Sequence, residues 1–135
     1  MVKIGVCGFG TVGRSFVEHI LSYHEKISKN SGKDFVISII ADRSIDQKKF
    51  KSSNISFTSN IMDVIDSDCD LIVELVGGTE ISYELVKAAI LNKKSVITAN
   101  KALIAEHGDE LFRLSRENQI FIGCLLYTSD AADEL

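Results

Sequence analysis

The chain has 135 residues, of which 45% are hydrophobic and 25% are charged, and these values are ordinary for one soluble globular domain with a substantial core. Its net charge of −4 argues against a nucleic-acid or anionic-membrane surface, because such surfaces need clustered Lys and Arg. Its longest apolar runs, such as FVISIIA and LIVELV, are far below the roughly 18 residues that a membrane span requires.

Short apolar runs alternate with helical patterns along the chain. The predicted strands are residues 2–7, 35–41, a weak 55–58, 71–76, 95–98 and 120–123. The first, second and fourth are almost continuously apolar, as expected for parallel strands that helices cover on both faces. Strands that alternate with helices favour right-handed crossovers, and the pattern therefore predicts an α/β fold with a doubly wound, mostly parallel sheet in the order 3-2-1-4-5-6.

Three helical patterns connect these strands. The first begins at about Thr11, the second begins at about Glu80, and a third covers residues 101–117 with a predicted interruption at His107-Gly108. There Gly108 is a candidate C-cap and Asp109 a candidate new N-cap. The apolar faces of the first two helices consist of Val12, Phe16, Val17, Ile20 and Leu21, and of Ile81, Leu85, Ala88 and Ala89. A polar segment, residues 24–34, precedes the second strand.

The cysteines and histidines predict neither disulfides nor a metal site. Cys7, Cys69 and Cys124 form an odd and widely spaced set, and the N-terminus opens directly into a strand without a charged leader. Both features favour reduced thiols in the cytoplasm. The three histidines are far from the cysteines at no ligand-like spacing, which is typical of solvated surface residues.

A glycine-rich loop, VCGFGTVG, follows the first strand and opens the first helix. Gly8, Gly10 and Gly13 have the spacing of a dinucleotide-binding turn. In such a turn the first glycine permits the bend, the second leaves room for a pyrophosphate, and the third lets the helix pack closely on the strand. The N–H groups at the helix N-terminus favour phosphates. The loop therefore predicts NAD(P) as the cofactor.

A candidate ribose-binding acid follows the second strand. Asp42 occupies that place, 29 residues after Gly13, and the polar segment accounts for the long spacing. A carboxylate there binds the ribose hydroxyls of NAD, whereas a neighbouring arginine accommodates the 2′-phosphate of NADP. Because Arg43 follows immediately, the choice between NAD and NADP stays open.

Two further segments end at the same predicted edge of the sheet, where ligands of open α/β sheets bind. Gly77-Gly78 after the fourth strand allows the backbone to approach a ligand. Glu74 inside that strand is a carboxylate in an apolar run, which needs a partner or a raised pKa. It is either a structural acid bonded to nearby backbone N–H groups or a functional residue. Lys101 follows the fifth strand in the first turn of a helix, where the macrodipole disfavours a cation. Its place at the ligand edge therefore indicates a functional role.

The segments GFGTVG, LIVELVGGTE and SVITANKALIAEHGDELFRLSRENQ resemble the N-terminal NAD(P)-binding domain of homoserine dehydrogenase over roughly residues 2–123. The resemblance implies a Rossmann domain at residues 1–124. It also implies an oxidoreductase that interconverts L-homoserine and L-aspartate 4-semialdehyde, on the route to threonine and methionine. In this comparison Phe9, Gly10, Thr11 and Val12 line the pyrophosphate. Lys101, which follows Thr98 and Asn100 of the most specific segment, lies beside the nicotinamide and contributes to catalysis.

This chain departs from the family pattern at two places. Ala41 stands before Asp42, where many members carry a basic residue, and this weakens any transfer of cofactor preference. After Cys124 the chain reads LLYTSDAADEL instead of the family's Glu-Ala-x-Val and Gly-Gly-Ile-Pro segments. We therefore expect residues 125–135 to be a non-native tail and the substrate-binding and dimerisation domain to be absent. The fragment alone should then be inactive, and a homodimer should form only with that domain.

Two alternative functions are open to a sequence of this kind. One is another NAD(P)-dependent oxidoreductase of similar fold, such as the glucose–fructose oxidoreductase type, whose usual Glu-Lys-Pro differs from Thr-Ala-Asn-Lys in a chain without proline. The other is a non-catalytic dinucleotide-binding module, which would need no cation at the nicotinamide end.

Overall fold

The computed structural model describes residues 1–22, 29, 34–47 and 54–124. The strands within these ranges are β1 (Val2–Cys7), β2 (Phe35–Ala41), β3 (Ser56–Thr58), β4 (Leu71–Glu74), β5 (Ser95–Thr98) and β6 (Ile122–Cys124). The helices are α1 (Thr11–Ser22), α2 (Met62–Asp66), α3 (Thr79–Leu91) and α4 (Lys101–Glu117), and a 3₁₀ turn covers Ile45–Gln47. No helix in these ranges is long and apolar enough to cross a membrane.

The six strands form one sheet in the order β3-β2-β1-β4-β5-β6, and every neighbouring pair is parallel. This confirms the predicted α/β fold and strand order. The chain winds one way from β1 to β3 and the other way from β4 to β6, so the loops after β1 and β4 diverge at the switch point. Backbone hydrogen bonds tie these loop starts together, since Leu75 N–H donates to Cys7 O at 2.8 Å.

The core has two layers, one on each face of the sheet. Alternate strand residues point to opposite faces, as in the adjacent pair Ile72 and Val73 of β4. On one face α2, α3 and α4 pack against the sheet through Val64, Leu85 and Leu111. On the other face α1 packs mainly through Val17, as part of a cluster of Ile4, Val6, Phe9, Phe35, Ile37, Ile40, Ile45, Ile55 and Val73.

The predicted apolar face of α1 is wrong at its two ends. Val12 is 64% exposed and Leu21 is 50% exposed. The buried stripe of α1 consists of Gly13 and Val17. At about 100° per residue, Val12 lies roughly 120° from the centre of that stripe, so its side chain points away from the sheet. Ile81 at the start of α3 is likewise 41% exposed, whereas Leu85 and Ala89 are buried as predicted.

The predicted interruption of the last helix is also wrong. The helix α4 is continuous from Lys101 to Glu117, and Gly108 lies on its buried face with Leu103 and Leu111. Among the described residues, the glycines with positive φ are Gly8 and Gly78, so Gly108 does not end the helix. A glycine inside a helix costs about 1 kcal/mol relative to alanine, and the buried leucines on either side outweigh that cost.

The structure adds one helix and adjusts the bounds of three strands, including β3, which begins at Ser56 instead of residue 55, and β6, which ends at Cys124 instead of residue 123. The short helix α2 was not predicted, although Asn60 is a sequence signal for it, because its Oδ1 accepts a hydrogen bond from Met62 N–H at 3.0 Å. The strand β4 ends at Glu74 instead of residue 76, and β6 begins at Ile122 instead of residue 120. Most of the polar segment at 24–34, and all of the predicted tail at 125–135, lie outside the described residues.

Candidate functional site

The three glycines of the loop after β1 differ in what a side chain at each position would contact. Gly8 has φ of +99°, and a Cβ there would lie 2.7 Å from the backbone of Leu75. A Cβ at Gly13 would lie 2.1 Å from Gly8 O. In contrast, a Cβ at Gly10 would meet no atom within 4 Å. Gly8 and Gly13 are therefore required by packing, whereas Gly10 leaves open space at the start of α1.

That open space adjoins the N-terminus of α1. Thr11 and Val12 are exposed there, and the first intrahelical bond runs from Arg14 N–H to Gly10 O at 2.9 Å. The earlier N–H groups of a helix have no acceptor within the helix, so they can bind an anion. The open space at Gly10 lies beside N–H groups of α1 that have no acceptor within the helix. Together these two features fit a pyrophosphate.

Phe9 is oriented differently from its loop neighbours. Its ring is 1% exposed and belongs to the core on the α1 face of the sheet. Its backbone N–H donates to Asp42 Oδ2 at 2.7 Å. Phe9 thus anchors the loop to the end of β2, and only its backbone remains near the edge where a ligand could bind.

Asp42 and Arg43 follow β2 at the same edge of the sheet. The carboxylate of Asp42 is held at both oxygens, because Oδ2 accepts Phe9 N–H and Oδ1 accepts Ser44 N–H at 2.8 Å. Arg43 is exposed. Both residues line a cavity of about 510 Å³, which we call the first cavity. Its other lining residues are Gly8, Gly10, Ser44, Ser59, Asn60, Ile61, Leu75, Val76, Gly77 and Ile81.

A second cavity, of about 410 Å³, continues from the first. The two share Leu75, Val76 and Gly77, so together they form one groove across the carboxyl edge of the sheet. The second cavity is also lined by Val12, Glu74, Gly78, Ala99, Asn100 and Lys101. The exposed Val12 therefore faces this groove instead of the core.

Glu74 is fully buried at the end of β4, and its carboxylate has three hydrogen-bond donors. Oε1 accepts Val76 N–H at 2.9 Å and the Ser82 hydroxyl at 2.8 Å, and Oε2 accepts the Thr98 hydroxyl. Burial raises the pKa of Glu74 above its ordinary value, and the three hydrogen bonds offset part of this rise. The carboxylate that looked anomalous in the sequence is thus a satisfied buried group.

Lys101 is the first residue of α4, and the preceding Asn100 is the N-cap. Asn100 Oδ1 accepts Leu103 N–H at 3.0 Å, and its Nδ2 donates to Gly78 O at 2.8 Å and to Ser82 Oγ at 3.1 Å. Asn100 therefore joins the start of α4 to the loop after β4. This places the exposed Lys101 beside the Gly77-Gly78 turn in the second cavity.

The fold brings most of the residues predicted for the site to one groove. Those that line it are Gly8, Gly10, Val12, Asp42, Arg43, Gly77, Gly78, Asn100 and Lys101. Gly13 and the Phe9 ring are buried beneath the loop, and Thr98 is buried behind the groove, where it bonds Glu74. Among the described residues, no group of three or more His, Cys, Asp or Glu could hold a metal ion.

Sequence reasoning missed several lining residues. Ser59, Asn60 and Ile61 follow the weak strand β3, and Ile81 belongs to the first turn of α3. Their position just after a strand, or at the start of a helix that follows one, is the signal that could have identified them, since the carboxyl edge collects such segments. Ser82 lies in the same first turn, but nothing in the sequence points to its bond with Glu74, which is eight residues away.

Comparison with known proteins gives a consistent result. Residues 8–123 match the family described as homoserine dehydrogenase, NAD binding domain. Homoserine dehydrogenase of Pseudomonas aeruginosa is 39% identical over 122 residues, which are 90% of this chain and 28% of that protein. The Bacillus subtilis enzyme is 32% identical over 128 residues, which are 93% of this chain and 29% of that protein.

Solved structures agree with these relatives. The homoserine dehydrogenase of Thiobacillus denitrificans superposes with a TM-score of 0.84 at 33% identity, over 91% of this chain and 29% of that chain. A hyperthermophilic archaeal homoserine dehydrogenase in complex with NADPH superposes with a TM-score of 0.73 at 27% identity, over 91% of this chain and 43% of that chain. The chain thus spans less than a third of the length of the curated relatives described above.

Proposed function

Because this chain belongs to the homoserine dehydrogenase family, through the NAD-binding domain that makes up most of its length, we propose that it is the cofactor-binding part of an NAD(P)-dependent enzyme. In the complete enzyme the reaction is the interconversion of L-homoserine and L-aspartate 4-semialdehyde. The observation that carries the proposal is the continuous groove, with the open space of Gly10 at one point and Lys101 at its far end.

The first cavity is the candidate site for the adenosine half of the cofactor. The pyrophosphate would be held over Gly10 by the N–H groups of Thr11, Val12 and Gly13. The carboxylate of Asp42 suits the ribose hydroxyls of NAD, and the guanidinium of Arg43 suits the 2′-phosphate of NADP. Because both line the same cavity, the proposal covers NAD and NADP alike.

The second cavity is the candidate site for the nicotinamide half, which when bound supplies or accepts the hydride. Val12, Gly77 and Gly78 form its walls. Lys101 contributes a positive charge at the N-terminal end of α4, where the helix dipole adds to it. This local positive potential would stabilise the negative charge that develops on the substrate oxygen during hydride transfer, which makes Lys101 the candidate catalytic residue. Thr98 and Asn100 hold the turn that presents it.

Cofactor binding is tested by titrating the 135-residue chain and its Gly10→Val variant with NADH and with NADPH. We expect the wild-type chain to bind at least one of them, and the variant to lose about tenfold or more in affinity, because the new side chain occupies the open space. Stability should change by no more than about 1 kcal/mol, since a Cβ at this position would meet no protein atom within 4 Å. Equal affinity of the two proteins would show that the loop is not the binding site.

Catalysis is tested in a chimera, in which residues 1–123 replace the matching segment of the Pseudomonas aeruginosa homoserine dehydrogenase. We expect this chimera to oxidise L-homoserine, and its Lys101→Ala variant to lose about 10²-fold or more in kcat while it still binds the cofactor. A variant with near-normal turnover would show that Lys101 is a surface residue only. A chimera that binds the cofactor without turnover would favour the non-catalytic dinucleotide-binding module.

The proposal includes homoserine and aspartate semialdehyde as partners of the complete enzyme, a cytoplasmic location, and a homodimer formed only through the parts of the enzyme that this chain does not match. The cysteines support the location, because Cys7, Cys69 and Cys124 form no disulfide.

A further inference from the structure

The carboxylate of Glu74 touches three separate segments that border the second cavity. It bonds the backbone of the loop after β4 through Val76 N–H, the first turn of α3 through Ser82, and the end of β5 through Thr98. All three contacts are buried or half-buried, and Glu74 and Ser82 are themselves 0% exposed. Hydrogen bonds in such a place have no competing water, so losing one leaves a group without a partner.

A second layer of hydrogen bonds extends this cluster to the residue before Lys101. The Thr98 hydroxyl accepts Asn100 N–H at 3.1 Å, and Ser82 Oγ accepts Asn100 Nδ2 at 3.1 Å. The remaining Nδ2 contact is to Gly78 O. Two of the hydrogen bonds that Asn100 donates thus lead back to the Glu74 carboxylate, through Thr98 and Ser82. A third joins Asn100 to the Gly77-Gly78 turn beside Lys101.

We propose, on the basis of the function proposed above, that Glu74 is the positioning residue of the nicotinamide half of the site. Through Thr98, Ser82 and Asn100 it fixes the distance between the Gly77-Gly78 turn and the first turn of α4. The adenosine half does not depend on it in the same way, because the Asp42 carboxylate there is held by Phe9 and Ser44 instead.

The donor pattern explains why a carboxylate is needed at this position. Val76 N–H, the Ser82 hydroxyl and the Thr98 hydroxyl all donate to Glu74, so every atom they face must accept. Glutamine at residue 74 would turn one acceptor into a donor. On the Thr98 side, the hydroxyl already accepts Asn100 N–H, and its own hydrogen would lose its acceptor. The hydrogen bond between Thr98 and Asn100 would weaken, although glutamine preserves the shape of the Glu74 side chain.

The test compares two ligands that share one half of the cofactor. The wild-type chain and its Glu74→Gln variant are titrated calorimetrically with NADH and with ADP-ribose, which lacks the nicotinamide. If NADPH binds more tightly than NADH, NADPH and 2′-phospho-ADP-ribose are used. We expect the variant to bind the dinucleotide about fivefold more weakly or worse, and to bind the ADP-ribose compound within about twofold of wild type. A general loss of structure would weaken both ligands.

A second pair of variants keeps the test decisive if Glu74→Gln does not fold. Thr98→Val removes the hydroxyl with little change of shape and should reproduce the selective loss, whereas Thr98→Ser keeps the hydroxyl and should restore dinucleotide affinity. Ser115→Ala is the matched control, because Ser115 is a buried hydroxyl that bonds Phe112 O near the opposite end of α4 from Asn100. It should leave both affinities unchanged.

The outcomes separate the two proposals. If the wild-type chain binds neither the dinucleotide nor ADP-ribose, the proposed function fails. If the wild-type chain binds both, but a folded Glu74→Gln variant weakens both equally or neither, the positioning role of Glu74 is overturned and the proposed function stands. Where Glu74→Gln does not fold, the same result for Thr98→Val overturns it.

Discussion

The carboxylate of Glu74 is buried at the end of β4, where burial and hydrogen bonding act on its pKa in opposite directions. Burial favours the protonated form, and so it raises the pKa of Glu74 above 4.5. The hydrogen bonds from Thr98, Ser82 and Val76 favour the ionised form and act in the opposite direction. Since burial is the larger effect, the native state binds this proton more tightly than the unfolded chain does.

A pH dependence of stability follows from this balance. The stabilising contribution of Glu74 is fully present below its unfolded pKa of about 4.5, and it is lost as the pH rises through the higher native pKa. We expect the free energy of unfolding of the wild-type chain, minus that of Glu74→Gln, to decrease with pH above about 4.5 and then to level off. Urea unfolding at a series of pH values measures this difference. A difference that increases with pH would mean that the hydrogen bonds outweigh burial.

At this scale the sequence predicts the position of some residues and not of others. The glycine spacing and the helix position place Gly10 and Lys101 at the ligand edge, where both line the groove, and their roles in binding and catalysis stay predictions. The partners of Glu74 could not, because Ser82 and Thr98 are 8 and 24 residues away and approach it only in the folded sheet. A polar residue in an apolar run predicts that it has hydrogen-bond partners, but it does not identify them.

At the scale of elements, the end of α2 is held by a lysine from a distant turn. Lys94 is 9% exposed, and its ammonium donates to Ser67 O and Cys69 O at 2.7 Å each. These carbonyls belong to the segment between α2 and β4. A charged donor satisfies two backbone acceptors that the short helix cannot satisfy itself.

Removing this ammonium should destabilise the chain more than removing its neighbour. We expect Lys94→Met to lower the free energy of unfolding by about 1–3 kcal/mol, because two carbonyl groups lose a charged donor. Lys93→Met is the control, since Lys93 is exposed and its ammonium donates to the side chain of Asn118 at the surface, and this variant should stay within about 0.5 kcal/mol of wild type. Equal effects of the two substitutions in urea unfolding would contradict the role given to Lys94.

Whether a helix or strand could be predicted depends on whether local sequence or tertiary packing determines it. The strands β1 and β2 were predicted at their observed bounds because continuous apolar runs mark central parallel strands. The interruption of α4 was predicted from local glycine chemistry, but burial of Gly108 between Leu103 and Leu111 overrides that preference. The helix α2 has only five residues, too few for a periodic pattern to be recognised.

At the scale of the whole molecule, the packed sheet protects two of the three thiols. Cys7 lies in the central strand β1, and burial raises the pKa of its thiol far above the ordinary value. Cys69 is buried, and its Sγ donates to Val64 O at 3.4 Å, whereas Cys124 is only half-buried in the edge strand β6. Because the thiolate is the reactive form, the raised pKa protects Cys7, and access favours Cys124 over both buried thiols.

We therefore expect iodoacetamide to modify Cys124 first under native conditions, with Cys7 and Cys69 modified only as the chain unfolds. Mass spectrometry of the alkylated chain, at a series of urea concentrations, measures the three rates separately. The protection of Cys7 should disappear at the unfolding midpoint. Rapid native modification of Cys7 would contradict the burial of β1.

The strand order could be predicted because few topologies satisfy right-handed crossovers and a ligand loop at the switch point. The predicted tail at 125–135 lies outside the described residues, so its non-native origin stays a prediction. Sequencing of the genomic locus tests it directly.

The central place of β1 has a consequence for how the chain acquires its structure. The strand β1 pairs with β2 across about 33 residues and with β4 across about 67, as in the pairs Val2–Phe35 and Ile4–Leu71. Its Gly5 leaves room for the Val64 side chain, since a Cβ there would lie 2.5 Å from Val64 Cγ1. At about 5–20 residues per second, a ribosome needs several seconds after β1 to add the second partner. During that interval one side of the largely buried strand β1 has no neighbour, so this nascent chain passes through an aggregation-prone stage that chaperones or fast docking of β4 must shorten.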